Sequence, residues 1–327
     1  MNRNTAPEVS AVVPTYRRLA LLRRCLRSLV MQRYPRLEIL VIDDAGDDNT
    51  TEAIQEEFPG ISVQRNPSRM GAAASKNEGA RRASGELIWF LDSDVEIPDP
   101  GLLERMVQTL SEHPEAGAVG GERVLVPDGR WIAVRKWIGP DGMSTSVAIE
   151  DGGKPFVTCD YLATSSCMVR ADRFQAVGGF DETYGIGSED TELGFRLRRR
   201  GWSVLTGPDL AVHHHAAKAG RTSDLYLRYR NGLRFAIKNF PAPQVLALPA
   251  ASLIGLLNPA RVRLVLDQRP EALKYLPDHL RGAARQQRWC ALPTAAQMAA
   301  SALVRAWAWN LSHLPQTLAA RRRAEHP

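Results

Sequence analysis

Several things this chain lacks narrow its nature first. Its 327 residues hold only four cysteines, Cys25, Cys159, Cys167 and Cys290. They are too scattered to form a C-x-x-C clip or a four-ligand zinc site, which excludes a disulfide-stapled or zinc-held fold. Reduced thiols in a cytosolic protein are the expectation. The opening "MNRNTAPEVSAVVP" has no apolar core before a cleavage site, so no secretion signal is expected. No long apolar run is present either. The stretch from Phe240 to Ala260 carries no charge, but Pro241, Pro243, Pro249 and Pro259 interrupt it, and its cleanest piece, "VLALPAASLIGLL", is too short and broken to span a bilayer. No convincing internal repeat and no low-complexity segment is present.

Charge is present but unevenly spread. The net charge is +6. From Lys218 to the end there are 17 Lys and Arg against 5 Asp and Glu, a balance of +12, so the first 217 residues carry 25 against 31, or −6. A mildly acidic front and a basic back imply different partners: site chemistry in front, and nucleic acid or an anionic membrane surface behind. The tail's charges lie between apolar stretches rather than in an aromatic-basic array, which argues against nucleic acid.

The front alternates strands and helices. "VSAVVPTY" reads as a buried strand ending in a turn. Arg18 to Gln32 puts Leu22, Leu26, Leu29 and Val30 on one helical stripe. "LEILVIDDAGDDNT" is a second strand ending in acids, followed by a short helix from Thr50 to Glu57 and a third strand in "ISVQRN". "GAAASKNEGARRASG" reads as a helix of small residues closed by Gly85, and "ELIWFLDSD" as the fourth strand. This order predicts a mostly parallel α/β sheet flanked by helices. Ligands of such sheets bind at strand carboxyl ends, where Pro14, Asp43, Asp44, Asp92 and Asp94 fall. Short strands and Gly-rich turns follow from Val119 to Val157. Then comes a strand and short helix in "SSCMVRADRFQAVGGF", with Phe174 and Val177 facing in and Gly178-Gly179 as the stop. The helix from Glu189 to Arg200 has Ser188 placed as N-cap, acids in its first turn, arginines in its last and Gly201 as its stop. "WSVLTGPDLAVHHH" reads as strand, turn, strand. Near the end, Leu303, Trp307, Leu311 and Leu314 fall on one helical face, with Arg305 and Ser312 opposite and "RRR" at 321–323. That helix either docks on the front domain or lies in a membrane interface. The expected division is 1–239 for the α/β domain and 240–327 for a basic helical extension.

The acids of "IWFLDSDVEIP" pose the central question, because unpaired carboxylates at the end of an apolar strand are costly to desolvate. Read with "SAVVPTYRR", "VIDDAGDDNT", "GAAASKNEGARRASGELIWFLDSD", "VGGFDETYGIGSEDTELGFRLRRRGW" and "AVHHH", they make the chain resemble the family 2 glycosyltransferases of the GT-A fold, over roughly Val9 to Asn239. "YRN" at 229–231 is similar to the rhamnosyltransferase-like members. The resemblance implies a nucleotide-diphosphate sugar donor, a glycan or lipid-linked acceptor, and a Mg²⁺ or Mn²⁺ ion. It also implies a role in surface glycan or glycolipid assembly at the cytoplasmic face of the cell membrane.

Residue roles carried over from that resemblance are as follows. Asp44 accepts the N3–H of a pyrimidine base and Tyr16 stacks on it, with Pro14 beside them, while Asp43 braces the loop. Lys76 stands where the family's G-x-x-x-A-R-N-x-G stretch has arginine, near the diphosphate; Ser75 replaces its alanine. Asp92, Ser93 and Asp94 match the D-x-D, with Asp94 as the main metal ligand and Asp92 reaching ribose or a metal-bound water. His214 completes the metal site, with His213 as the alternative. Glu189-Asp190 matches the family's acid pair, and Asp190 is the general base, ionised at neutral pH by its place at a helix start. Two other readings compete. A nucleotidyltransferase would carry a Gly-rich basic loop after the first strand, where "PTYRR" has no glycine. A non-catalytic membrane-associated scaffold would be expected to lose some of Asp44, Asp92, Asp94 or Asp190, and none is missing.

Overall fold

The computed structural model describes residues 6–126, 129–149, 155–185, 187–215, 225–256 and 292–325. Cys290, the Lys218 boundary, Ile186 and the last residues of the uncharged run lie outside them. Four parallel strands open the chain in the order the sequence predicts: β1 (Val9–Thr15), β2 (Leu37–Asp43), β3 (Ser62–Arg65) and β4 (Leu87–Leu91). They are connected by α1 (Leu19–Leu29), α2 (Thr50–Glu57) and α3 (Ala72–Arg82). Strand alternation sends Val9, Ala11, Val13, Trp89 and Leu91 to the face covered by Leu22, Leu26 and Leu29 of α1. Val12, Ile88 and Phe90 go to the opposite face. Both faces are apolar because both are covered, which is why these strands read as continuous hydrophobic runs.

The chain then passes through β5 (Val95–Glu96) and α4 (Leu102–Glu112) to β6 (Ala116–Gly120), β7 (Glu122–Leu125), β8 (Trp131–Ile138), β9 (Ser144–Ala148) and β10 (Val157–Thr158). Helix α4 buries Leu102, Leu103, Met106, Val107 and Leu110, as clear a 3.6-residue stripe as that of α1. β11 (Ser166–Arg170), α5 (Ala171–Ala176), α6 (Glu189–Arg199), β12 (Ser203–Thr206) and β13 (Val212–His214) follow. The larger sheet has the order β10-β12-β6-β11-β4-β1-β2-β3, with β11 inserted antiparallel between β4 and β6. A smaller sheet runs β5-β13-β7-β8-β9.

Three local expectations are corrected. Helix α3 stops at Arg82, where Ala83 turns extended, and Gly85 serves packing instead: a Cβ there would lie 2.7 Å from the Ser10 nitrogen. Ser188 occupies the N-cap position of α6 in the left-handed region, at φ 77°, and makes no capping hydrogen bond. Gly201, at φ 83°, does end α6 as a left-handed stop. The 303–314 stripe is not one continuous face, as set out next.

The chain forms two compact units, 1–137 with 145–217, and 138–144 with 218–327, so the helix at 225–239 goes with the basic back rather than with the α/β front. Within the second unit lie α7 (Leu225–Asn239), α8 (Ala242–Leu256), α9 (Leu292–Ser312) and α10 (Leu314–Glu325). Leu303 is buried with Ala302 and Ala306 against Tyr229 and Leu233 of α7, and Trp307 packs beside them. Leu311 is 61% exposed, and a new helix begins at Leu314. Arg321 of α10 donates to the carbonyls of Ile237 and Phe240, capping the carboxyl end of α7. No helix among the described residues is long and apolar enough to cross a membrane.

Candidate active site

The end of β4 hands the chain from the large sheet to the small one, and the acids sit at that crossing. Asp92 follows Leu91, and the Val95 amide turns back to the Asp92 carbonyl at 3.3 Å. β5 then pairs with β13, setting Val95 opposite His214 and Glu96 opposite His213. Asp92, Asp94 and His214 thereby come together, each offering one ligand atom within 4.8 Å of the others. His214 Nε2 lies 3.4 Å from Asp94 Oδ1 and makes no regular hydrogen bond. Two carboxylates and an imidazole are a donor set that suits Mg²⁺ or Mn²⁺, so the residues present fit such an ion. Strand alternation separates the neighbouring histidines. His213 stacks on Trp131, with ring centres 4.1 Å apart, and His215 pairs with Glu96 at 2.8 Å.

Asp94 has no exposed surface, and the Arg18 guanidinium meets its other oxygen at 3.0 Å. On the far side of His214, Nδ1 lies 2.7 Å from Glu122 Oε2. Glu122 also accepts from Ser165 Oγ at 2.7 Å and pairs with Lys136. Burial alone would raise the Glu122 pKa, but Lys136 and His214 outweigh it and hold the carboxyl far below the ordinary range. His214 is pushed up to about 10: burial opposes its charge, but the nearby Asp94 and Glu122 carboxylates prevail. No sequence motif marks Glu122, Lys136 or Ser165; Glu122 is one acid after two glycines, and only the pairing of β7 with β13 brings it beside the histidine.

Lys76 is 1% exposed and links two motifs far apart in sequence. Its ammonium lies 3.6 Å from Asp92, 3.5 Å from Glu189, and hydrogen-bonds Thr164. Burial works against its charge, yet Asp92, Glu189 and Asp190 together raise its pKa. Glu189 is buried, whereas Asp190 keeps part of its surface open. Despite that opening, the dense protein around Asp190 and the adjacent Glu189 raise its carboxyl to about 7, against the pull of Lys76. Desolvation and the like charge of Glu189 oppose the ionising effect of the helix start, so the Asp190 carboxyl lies higher than its first-turn position alone would set it. The small residues around Lys76 have a packing reason too: a Cβ on Gly79 would meet Val12 Cγ1 at 2.3 Å, so only glycine lets α3 lie this close to β1.

The remaining predicted residues gather around the ends of β1 and β2. Asp43 braces its loop, accepting from the Gly46 amide and the Thr51 hydroxyl at 2.9 Å each. Asp44 is 5% exposed and accepts from Asn66 at 3.0 Å, Ser75 at 3.1 Å, and the amides of Met70 at 2.8 Å and Gly71 at 2.9 Å. Burial would raise its pKa, but these donors lower it overall. Pro14 and Tyr16 are half-buried. The Arg69 guanidinium sits 4.3 Å from the Tyr16 ring centre, and Arg17 flanks it at 5.2 Å. Ser93 is buried between the two acids. Backbone strain marks the same places: the non-glycine residues with positive φ among those described are Arg17 (51°), Ala45 (58°) and Ser188 (77°). Each adjoins a predicted site residue, Tyr16, Asp44 or Glu189, a clustering typical of active sites.

The sequence model of Glycosyl transferase family 2 matches residues 10–165. The O-antigen biosynthesis protein RfbC of Myxococcus xanthus is 31% identical over 241 residues, which is 68% of this chain but 19% of that much longer protein. An N-acetylglucosaminyl-diphospho-decaprenol L-rhamnosyltransferase of Mycobacterium tuberculosis is 25% identical over 223 residues, 60% of this chain and 72% of its own length. Among solved structures, the mannosyltransferase PcManGT of Pyrobaculum calidifontis, in complex with GDP-Man and Mn²⁺, superposes with a TM-score of 0.61 at 21% identity. That match covers 94% of this chain and 88% of the other and establishes a shared GT-A fold.

Proposed function

We propose that this chain, a member of Glycosyl transferase family 2 by the match over residues 10–165, is an inverting, metal-dependent glycosyltransferase that moves a sugar from a nucleotide-diphosphate donor to an acceptor hydroxyl. The carrying observation is the Asp92, Asp94 and His214 cluster at the crossing of the two sheets, joined through Lys76 to Glu189 beside Asp190. A divalent cation bound by Asp92, Asp94 and His214 would offset the negative charge that develops on the departing diphosphate.

The chain's own residues account for the rest. Arg18 holds Asp94 in place, and Ser93 keeps the two acids apart along the turn. Asp190 takes the proton of the acceptor hydroxyl as that oxygen attacks the anomeric carbon. A carboxyl raised to about 7 is better matched to that task at neutral pH than an ordinary one near 4. Lys76 neutralises Asp92 and Glu189 and lies where it can turn to the donor phosphates. The Asp44 and Tyr16 region supplies the nucleoside pocket, where a base would replace Arg69 on the tyrosine face.

The acceptor is a glycan or lipid-linked sugar of surface polysaccharide or glycolipid assembly, taken up at the inner face of the cell membrane. Support for the membrane comes from the second unit. Helix α8 carries no charge and leaves Leu246, Leu253 and Ile254 between 62% and 82% exposed, in a region with a +12 balance. At ~1.5 Å per residue its 15 residues reach about 22 Å, short of a bilayer core of about 30 Å, which suits a helix lying in the interface.

A thermal-shift panel of nucleotide sugars with Mn²⁺ tests the activity class, because a donor that binds only the folded state raises its melting temperature. One donor stabilising the protein only when Mn²⁺ is present supports the reading. Equal shifts with and without the ion, or none with any donor, overturn it.

A further inference from the structure

We infer that Glu122, backed by Lys136, is a positioning residue for His214: it fixes the imidazole with its proton on Nδ1 and so turns the Nε2 lone pair toward Asp94 and Asp92. This inference rests on the metal reading above and goes one residue beyond it. Imidazole is ambiguous by nature, since either nitrogen can carry the proton, and a ligand histidine presents a lone pair only when something holds the proton on the other side. Glu122 is that holder. Its Oε2 is 2.7 Å from Nδ1, and an ionised carboxylate can only accept, so the proton on that bond belongs to Nδ1. Nε2 then faces Asp94 Oδ1, 3.4 Å away.

Every other contact of Glu122 keeps it an acceptor aimed that way. It is 4% exposed, takes the Ser165 hydroxyl on the same Oε2 at 2.7 Å, and gives Oε1 to Lys136. Lys136 supplies the charge that allows a carboxylate to remain ionised at this depth. If Glu122 were present only to neutralise Lys136, nothing would direct its second oxygen at the histidine. The backbone that places it is also restrictive. Gly120 and Gly121 adopt φ of 150° and 155°; a Cβ on the first would lie 2.4 Å from the Ser166 carbonyl oxygen, and on the second 2.5 Å from Thr206 Oγ1. Only this glycine pair lets the chain leave β6 and start β7 with Glu122 against β13.

The test is Mn²⁺ titration of the full chain, followed by the free-ion EPR signal, for wild type, Glu122→Gln and Asp94→Ala. Gln keeps the size but can offer an N–H to Nδ1, which no longer selects the tautomer. We expect E122Q to bind Mn²⁺ about 10- to 100-fold more weakly than wild type, the usual effect of removing such a support. Wild type that binds, D94A that does not, and E122Q within about twofold of wild type would overturn the inference while leaving the metal reading intact. Wild type that fails to bind overturns both. Should E122Q not fold, ¹⁵N-histidine NMR of the wild-type protein with Mg²⁺ still decides. At saturating Mg²⁺, where the ion takes the place of the Nε2 proton, the His214 signals, assigned by their loss in H214N, should show Nδ1 protonated and Nε2 bare; the reverse pattern, or both nitrogens protonated, overturns the proposal.

Discussion

The two compact units differ in what they concentrate inside and outside. The first takes charge inside: Asp43, Asp44, Lys76, Asp94, Glu122 and Glu189 are all at most 6% exposed, and each has an opposite charge or hydrogen-bond donors around it. The second leaves apolar surface outside, on α8 and on Val304 and Leu311 of α9. Buried charge is a poor way to gain stability, because desolvation costs several kcal/mol per ion, and it persists where the arrangement does chemistry. Exposed leucines on an uncharged helix are likewise a poor way to stay dispersed in water, and they persist where something apolar covers them. The same contrast separates the acidic front from the basic back. On the proposed reading, donor chemistry belongs to the first unit and surface attachment to the second.

The sharpest way to break that division is Asp190→Asn. It should lower turnover by about 10² or more, the ordinary contribution of a general base, with donor affinity nearly unchanged; a loss below about tenfold would shift the role to Glu189. The pH profile refines it. Turnover in wild type should rise with pH through about 7 as Asp190 loses its proton. Stability moves the other way. A folded-state pKa above the ordinary value stabilises the fold below about pH 4 and gives that contribution up as pH rises through 7. D190N should therefore melt higher than wild type at pH 8, with the gap closing toward acid pH; an equal gap at all pH values would contradict the assignment.

Lys76→Met probes the buried network with a smaller effect. It leaves Asp92 and Glu189 without their shared cation and should cost about 3–5 kcal/mol of stability, measured by denaturant unfolding. A cost under about 1 kcal/mol, the scale of a surface pair, would show that the network is solvated. The second unit should respond in reverse. Replacing Leu246, Leu253 and Ile254 with Ser should change stability by no more than about 0.5 kcal/mol per site, yet release the protein from anionic vesicles in flotation. Unchanged flotation would remove α8 from the membrane proposal.

Most of the front unit was legible in the sequence because its signals are local. Strands buried on both faces read as apolar runs, α1 and α6 announce themselves by stripe and stop residue, and the acids at strand ends stand out against them. What was not legible depends on pairing between distant strands. Glu122, Lys136 and Ser165 reach His214 only through the β7–β13 register, and nothing within ten residues of any of them signals it. The helix that carries Asp190 is legible, but the rise in its pKa is not, because burial and the neighbouring Glu189 are three-dimensional facts. In the back unit, the 303–314 stripe misled for the same reason. Periodicity showed an apolar face but not which helix would cover it, and α7 covers Leu303 while Leu311 stays open. Helix α8, which reads as a broken run because of Pro249, is continuous from Ala242 to Leu256.

In the proposed mechanism, a cation held by Asp94 and its neighbours joins the donor to this fold. Calorimetric titration of the stabilising nucleotide sugar into wild type and Asp94→Ala, each with Mn²⁺ and with EDTA, tests it most directly. Binding is expected in wild type with Mn²⁺, with its loss in EDTA and no dependence on Mn²⁺ in the variant. Donor affinity in D94A equal to wild type with Mn²⁺ would contradict it.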